Sequence, residues 1–236
     1  MSRAKRKAKY HRQQEQDNTI NFNQALKRKH IELRPKSINQ EKLILSLLDP
    51  HTSITVATGP AGTGKTYLAM LAAIKAFRNG ACERIVLTRP AVGVDDEKHG
   101  FLPGDLNSKM EPWTRPLFDV LREYYSAKEV TAMLENQTIE ISPLAFMRGR
   151  TFKDAWIIAD EMQNATPSQM KMLMTRIGEN SKIVITGDVE QTDRTVLNNG
   201  LIDLCKRLET KREGLAVCYM TNKDIQRHPI IDTVLE

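Results

Sequence analysis

Eight consecutive residues carry the most informative chemistry in the chain: Gly59, Pro60, Ala61, Gly62, Thr63, Gly64, Lys65 and Thr66. They complete the spacing G-x-x-x-x-G-K-[ST], after a short β-branched run and at the start of a helix-forming one, which is the context the chemistry requires. Glycines there let backbone N–H groups turn inward around phosphate oxygens. A helix N-terminus adds positive potential. In such a loop Lys65 reaches the β- and γ-phosphates, and the Thr66 hydroxyl ligates Mg²⁺. The bland alternative is a chance glycine-rich turn, against which the flanking strand, the helix and the downstream acids argue together.

Those acids are Asp160 and Glu161, at the end of the apolar run AWIIADE (155–161). A buried strand that ends in two carboxylates puts them where a γ-phosphate and its metal would sit. The expected division is that Asp160 holds Mg²⁺, while Glu161 orients and deprotonates an attacking water, a role that contributes roughly 10²–10⁴-fold. An acidic helix cap is the alternative, but it does not account for an adjacent pair at a strand end. The pair also separates nucleotide chemistries. Thr221-Asn222-Lys223-Asp224 lacks the intervening residue of a guanine-reading N-K-x-D. A small-molecule kinase needs no glutamate beside its metal aspartate, because its substrate is the nucleophile. Hydrolysis of ATP by water is the favoured reading. A third polar stretch, ITGDVEQTD (185–193), offers Gly187, Asp188 and Gln191. Gln191 is expected near the γ-phosphate, where a neutral amide can sense its loss; an ordinary polar loop is the alternative.

The elements that must position these groups alternate along the chain. SITVATG (53–59), RIVLTRP (84–90), TIEISP (138–143), AWIIADE, KIVITGD (182–188) and LAVCYMT (215–221) read as strands. KTYLAMLAAIKAF (65–77), a helix from Pro167 to about Ile177 capped by Thr166, and GLIDLCKRLE (200–209) read as helices. Continuous apolar strands separated by helices predict an α/β fold, a mostly parallel sheet with helices on both faces. Ligands bind beyond the carboxyl ends of such strands.

The net charge is +6, from 35 Lys/Arg against 29 Asp/Glu. Residues 1–37 hold eleven Lys/Arg and three Asp/Glu, so the remaining 24 against 26 leave the rest slightly acidic. The basicity therefore belongs to the N-terminal stretch. We expect residues 1–37 to form a basic, mostly disordered arm and residues 38–236 one folded domain. Such an arm binds phosphate backbones through counterion release; a solvated tail that aids solubility is the equal alternative. No run of eighteen apolar residues exists, which excludes a membrane-spanning helix. The first residues have positive charge but no apolar stretch behind them, unlike a secretory signal. The three cysteines, Cys82, Cys205 and Cys218, have no C-x-x-C spacing, so a reducing, cytoplasmic setting is expected.

Several segments match one pattern in order: GPAGTGKT, LTRPAV (87–92), GFLPGDLNSKMEPW-RPLFDVL (100–121), MRGRTF-DAWII-DE-QN-TP-QMKM-LTR-G (147–178) and ITGD-EQTD. Together they resemble the PhoH family, P-loop ATPases related to the first motor domain of superfamily 1 helicases. The resemblance covers roughly residues 38–236. It implies a RecA-like P-loop NTPase core, ATP hydrolysis with Mg²⁺, a link to RNA or single-stranded DNA, and a ring-like, hexameric homo-oligomer. Some relatives carry a PIN nuclease domain, for which residues 1–37 are too short, so the expected form is a stand-alone core. By the same resemblance Gln40 in INQEKLI (39–45) matches a glutamine that reads adenine through its donor and acceptor, with a solvent-facing glutamine at a helix start as the alternative. Thr88 and Arg89 are implied to lie near nucleic acid or the phosphate site, and Arg227 of Arg227-His228-Pro229 to contact γ-phosphate.

One phosphate loop leaves room for one core. If the site needs an arginine finger, worth roughly 10³–10⁵ in rate, a neighbouring copy must supply it, and a head-to-tail contact that closes makes a ring. The segment 92–116 is expected to be loop-like and to bind a strand through Phe101, Lys109 and Trp113; anchoring of the loop to the core is the alternative. Arg148 and Arg150 are candidates for phosphate or subunit contacts. A nucleotide-controlled regulatory or assembly module with little turnover is the alternative to a nucleic-acid-coupled ATPase.

Overall fold

The structure is a computed structural model that describes residues 29–90, 106–192, 198–209 and 212–226. In chain order the elements are α1 (Ile38–Leu48), β1 (Ile54–Thr58), α2 (Lys65–Arg78), β2 (Arg84–Thr88), α3 (Leu106–Arg122) and α4 (Ala127–Glu135). Then follow β3 (Ile139–Ile141), β4 (Ala155–Ala159), α5 (Pro167–Met174), β5 (Lys182–Gly187), α6 (Gly200–Arg207) and β6 (Leu215–Tyr219).

The six strands form one sheet in the order β3-β2-β4-β5-β1-β6, and every pairing is parallel. Both faces are covered, which is why β1 and β4 are buried at all five positions and read as unbroken apolar runs. Alternate side chains divide between two cores. Ala57, Ile85, Leu87, Ile158 and Val184 pack under α1 to α4. Val56, Val86, Ile157, Ile183 and Ile185 pack under α5 and α6. The fold is the RecA-like P-loop architecture expected, with all strands rather than most of them parallel among the described residues.

The topology matters for the site. β5 lies between β1 and β4, so the loop after β1 and the acids after β4 flank the end of one shared strand. Local signals set the element ends. Thr166 caps α5, accepting from the Gln169 amide, with Pro167 in the first turn. α5 stops at Met174, short of the expected Ile177, because Phe152 claims the next backbone groups. The Phe152 amide donates to Arg176 O, and the Gly178 amide donates to Phe152 O.

Two further expectations are corrected. Residues 106–116 are not loop but the start of α3. Pro112 and Pro116 each cost the helix a backbone donor, about 3 kcal/mol at an interior position. The helix persists because Thr114, Leu117, Val120 and Leu121 share one face buried against the core. The packed chain also begins before residue 38. Ile31 is buried in the core under α1 to α4, and Arg78 donates to the Lys29 carbonyl at 2.8 Å. Residues 29–37 thus belong with the domain. Residues 1–28, the rest of the expected arm, lie outside the described residues, as do residues 92–105 with Phe101.

Candidate active site

The loop Gly59–Thr66 connects the buried β1 to α2, with Gly64 in the left-handed region as the helix N-cap. Only glycine fits at position 59: φ is 137° and a Cβ would lie 2.3 Å from the Met220 carbonyl oxygen at the end of β6. Lys65 is buried and folds back onto its own loop. Its ammonium donates to Gly59 O at 2.6 Å, Pro60 O at 2.7 Å and Thr63 Oγ1 at 3.3 Å. Burial lowers the Lys65 pKa, an effect that Asp188, Glu161 and Asp160 oppose.

Thr66, at the start of α2, donates from Oγ1 to Asp160 Oδ1 at 2.8 Å, across 94 residues of sequence. Thr186 in β5 donates to the same oxygen, and the Asp160 amide donates to Thr88 O of β2 at 2.9 Å. Asp160 is therefore oriented from α2, β5 and β2 together. Glu161 follows with φ 54° and ψ 38°. A left-handed backbone at a non-glycine residue is strained, and here it turns the chain sharply off the strand end. The Glu161 carboxylate accepts from Gln163 Nε2 at 2.5 Å.

These groups line one cavity of about 260 Å³, bounded by Gly62, Lys65, Thr66, Asp160, Glu161 and Gln191. Gln191, on the loop after β5, lines the same cavity, and its backbone N–H donates to Asp188 O at 3.2 Å. Thr66 Oγ1 and the Asp160 carboxylate are hard oxygen donors side by side. That set suits Mg²⁺, which takes one or two carboxylates and completes its shell with water and substrate phosphate. Among the described residues no cluster of three or more His, Cys, Asp or Glu offers an all-protein metal cage.

Gln40 faces the loop, not solvent. It is 4% exposed, and its Nε2 donates to Thr63 O at 3.0 Å. The solvent-facing alternative is removed. Thr88 is buried at the end of β2 beside Asp160, and the half-buried Arg89 accepts at its carbonyl from the Leu144 amide at 3.1 Å. Arg227 lies outside the described residues. Its neighbour Gln226 donates its amide to Gly62 O of the phosphate loop at 2.9 Å.

Arg150 corrects an expectation. It forms a two-pronged ion pair with Glu140 and lies 4.5 Å from the Phe152 ring centroid, so its guanidinium is spent inside the domain. Arg148 stays exposed. Lys109 and Trp113 fall within α3 rather than on a loop. The three cysteines are free thiols. Burial pushes Cys82 and Cys205 up to about 11, so neither serves as a nucleophile.

Sequence reasoning missed Gln163, which is 2% exposed. Its Nε2 holds Glu161 while its Oε1 accepts from the Asp188 amide at 3.1 Å. Its backbone carbonyl accepts from Thr192 and Asn199. Asp-Glu-Met-Gln (160–163) was the available signal: an amide two residues beyond a candidate base. It missed Asn39 and Asp224 as well, which no local motif marks.

The family model described as "PhoH-like protein" matches residues 32–236. The chain is 43% identical over 204 residues to the PhoH-like protein of Synechocystis sp., covering 86% of this chain and 61% of that protein. It is 42% identical to the PhoH-like protein of Bacillus subtilis over 204 residues, again 86% of this chain, and 63% of the relative. The chain thus spans about three-fifths of the length of these relatives. Among solved structures, the Sulfolobus solfataricus SWI2/SNF2 ATPase core in complex with dsDNA resembles 66% of this chain and 32% of its own, with a TM-score of 0.41 and 14% identity.

Proposed function

The chain belongs to the PhoH-like protein family, and from that membership and the geometry of its site we propose that it hydrolyses ATP to ADP and phosphate. The observation that carries this reading is the 2.8 Å hydrogen bond between Thr66 and Asp160. It joins the phosphate loop to the paired carboxylates and leaves Glu161 beside the same cavity.

In the proposed reaction Thr66 and Asp160 would hold Mg²⁺, which would supply positive charge to offset that of the triphosphate. Lys65 exchanges the Gly59 and Pro60 carbonyls for phosphate oxygens, a swap of neutral acceptors for charged ones that favours the bound form. Glu161, oriented by Gln163, takes a proton from the attacking water. Gln191 faces the γ-phosphate and reports its departure through the loop after β5. Arg227, or an arginine of a neighbouring copy, supplies positive charge to the transition state.

We further propose that turnover is coupled to RNA or single-stranded DNA, that copies assemble into a hexameric ring with ATP between them, and that the protein works in the cytoplasm. The family resemblance and the single core support the ring. The basic residues 1–37, with a surplus of eight positive charges, support the nucleic-acid contact. No helix among the described residues is long and apolar enough to cross a membrane.

The test is steady-state phosphate release from Mg-ATP, with and without RNA or single-stranded DNA, by the full chain and by Glu161→Gln. Turnover that the substitution abolishes supports the proposal. Nucleotide binding with no turnover under any condition favours an assembly module instead. No uptake of ATP by folded protein in calorimetry with magnesium overturns both.

A further inference from the structure

Four carbonyls of the phosphate loop are held, two from within the loop and two from outside it. Lys65 takes those of Gly59 and Pro60. The Gln40 amide takes that of Thr63 at 3.0 Å, and the Gln226 backbone N–H takes that of Gly62 at 2.9 Å. Gln40 and Gln226 come from opposite ends of the domain, yet they are fastened together. Asn39 donates from Nδ2 to Asp224 Oδ2 at 2.8 Å, across 185 residues. Asp224 is 2% exposed, and it also accepts from the Thr221 amide at 2.7 Å and the Thr221 hydroxyl at 3.0 Å.

A trans peptide is planar, so its C=O and the following N–H point in opposite directions. Pulling the carbonyls of Gly62 and Thr63 outward therefore aims the N–H groups of Thr63 and Gly64 the other way, into the loop. Gly62 and Gly64, at φ 80° and 81°, supply the left-handed turns that an anion-binding nest needs. If Lys65 leaves Gly59 and Pro60 to bind phosphate, the bonds to Gly62 and Thr63 are the ones that remain. We propose that Asn39, Gln40, Asp224 and the Gln226 backbone form a clasp that sets the phosphate loop, so that Gln40 governs affinity for the phosphate chain whether or not a base is attached.

Gln40 is bonded to both neighbouring segments. Its Oε1 already accepts from the Lys36 amide at 2.8 Å and its Nε2 is bonded to Thr63. A contact to an adenine edge would add to these bonds rather than replace them, since an amide carries two N–H donors and two lone pairs. A Cβ at Gly64 would stand 3.3 Å from that Nε2, so the amide and the loop are already in close contact. The clasp rests on the proposal that this loop binds a triphosphate, and its test separates the two.

Calorimetry on the full chain with Mg-ATP, Mg-GTP and magnesium tripolyphosphate, which has no base, distinguishes the roles. Gln40→Ala is expected to weaken all three, the base-free tripolyphosphate included, by roughly tenfold for the one hydrogen bond lost to the loop. Asn39→Ala reaches the loop only through Asp224, and it is expected to weaken tripolyphosphate in the same sense but less. Circular dichroism on each variant confirms folded material. Loss of ATP affinity with tripolyphosphate unaffected would assign Gln40 to the base and overturn the clasp. Unchanged affinities in folded Asn39→Ala would overturn the joint between the two segments. Failure of the wild-type chain to bind any of the three would defeat the triphosphate reading, and the clasp with it.

Discussion

Gln163 holds Glu161 and Asp188 at once, donating from Nε2 to the Glu161 carboxylate and accepting at Oε1 from the Asp188 amide. Gly187 leaves room for it, since a Cβ there would lie 2.8 Å from Gln163 Oε1. One buried amide thus couples the proposed base to the loop that carries Gln191. Gln163→Leu keeps the volume and removes both bonds. We expect kcat to fall roughly tenfold or more, the value of a hydrogen bond to a charged group, with KM for ATP little changed. An unaltered kcat would remove Gln163 from the site.

Lys65→Ala should leave the fold intact and remove nearly all ATP turnover. The side chain's contacts are to its own loop, not to the core, so stability is not where the loss appears. Turnover at the wild-type rate would refute the phosphate-loop assignment.

Glu161→Gln should bind Mg-ATP as the wild type does and hydrolyse it roughly 10²–10⁴-fold more slowly. The Gln163 amide that Glu161 accepts from can still be accepted by the substituted side chain, so the local geometry is retained. Single-turnover phosphate release checks this, and a normal rate would exclude Glu161 as the base.

The Asp224 carboxyl has an acid signature. Burial alone would raise its pKa, but hydrogen bonds from Asn39, Ser37 and Thr221 outweigh that and hold it at about 2. Its folded pKa lies below its unfolded one, near 4. The stability it contributes is complete above about pH 4 and is lost as pH falls toward 2. Urea unfolding of wild type and Asp224→Asn should therefore show a gap at neutral pH that closes over that acid range. A gap independent of pH would mean the carboxylate is not held in this way.

Phe152→Ala tests the second core without touching the site. The ring is 1% exposed and carries the Arg150 guanidinium on its face. Truncating it should cost about 3–5 kcal/mol, seen as a lower urea midpoint. Loss much below that would mean the site collapses readily around the missing ring.

Much of this was legible in the sequence because it is local. A phosphate loop needs its glycines, lysine and threonine within eight positions, and a covered parallel strand needs an apolar run. Residues 59–66, β1, β2, β4 and β5 show themselves for those reasons. Strand ends show where to look for acids, so Asp160 and Glu161 were visible too. α3 was not, because its two prolines and low local propensity spell loop, and only burial of its inner face overrides them. Arg150 looked available for phosphate or subunit contacts because no local motif marks its pairing with Glu140 of β3.

The amino-acid order by itself determined the fold class, the phosphate loop and the carboxylate pair, since each depends on neighbours a few residues apart. Tertiary structure alone decided that Thr66 meets Asp160, that Gln163 holds Glu161, and that Asn39 and Asp224 join across 185 residues. Those contacts depend on the strand order β3-β2-β4-β5-β1-β6. The hydrogen bonds and packing that set that order are summed over the whole sheet, and no short stretch of chain carries them.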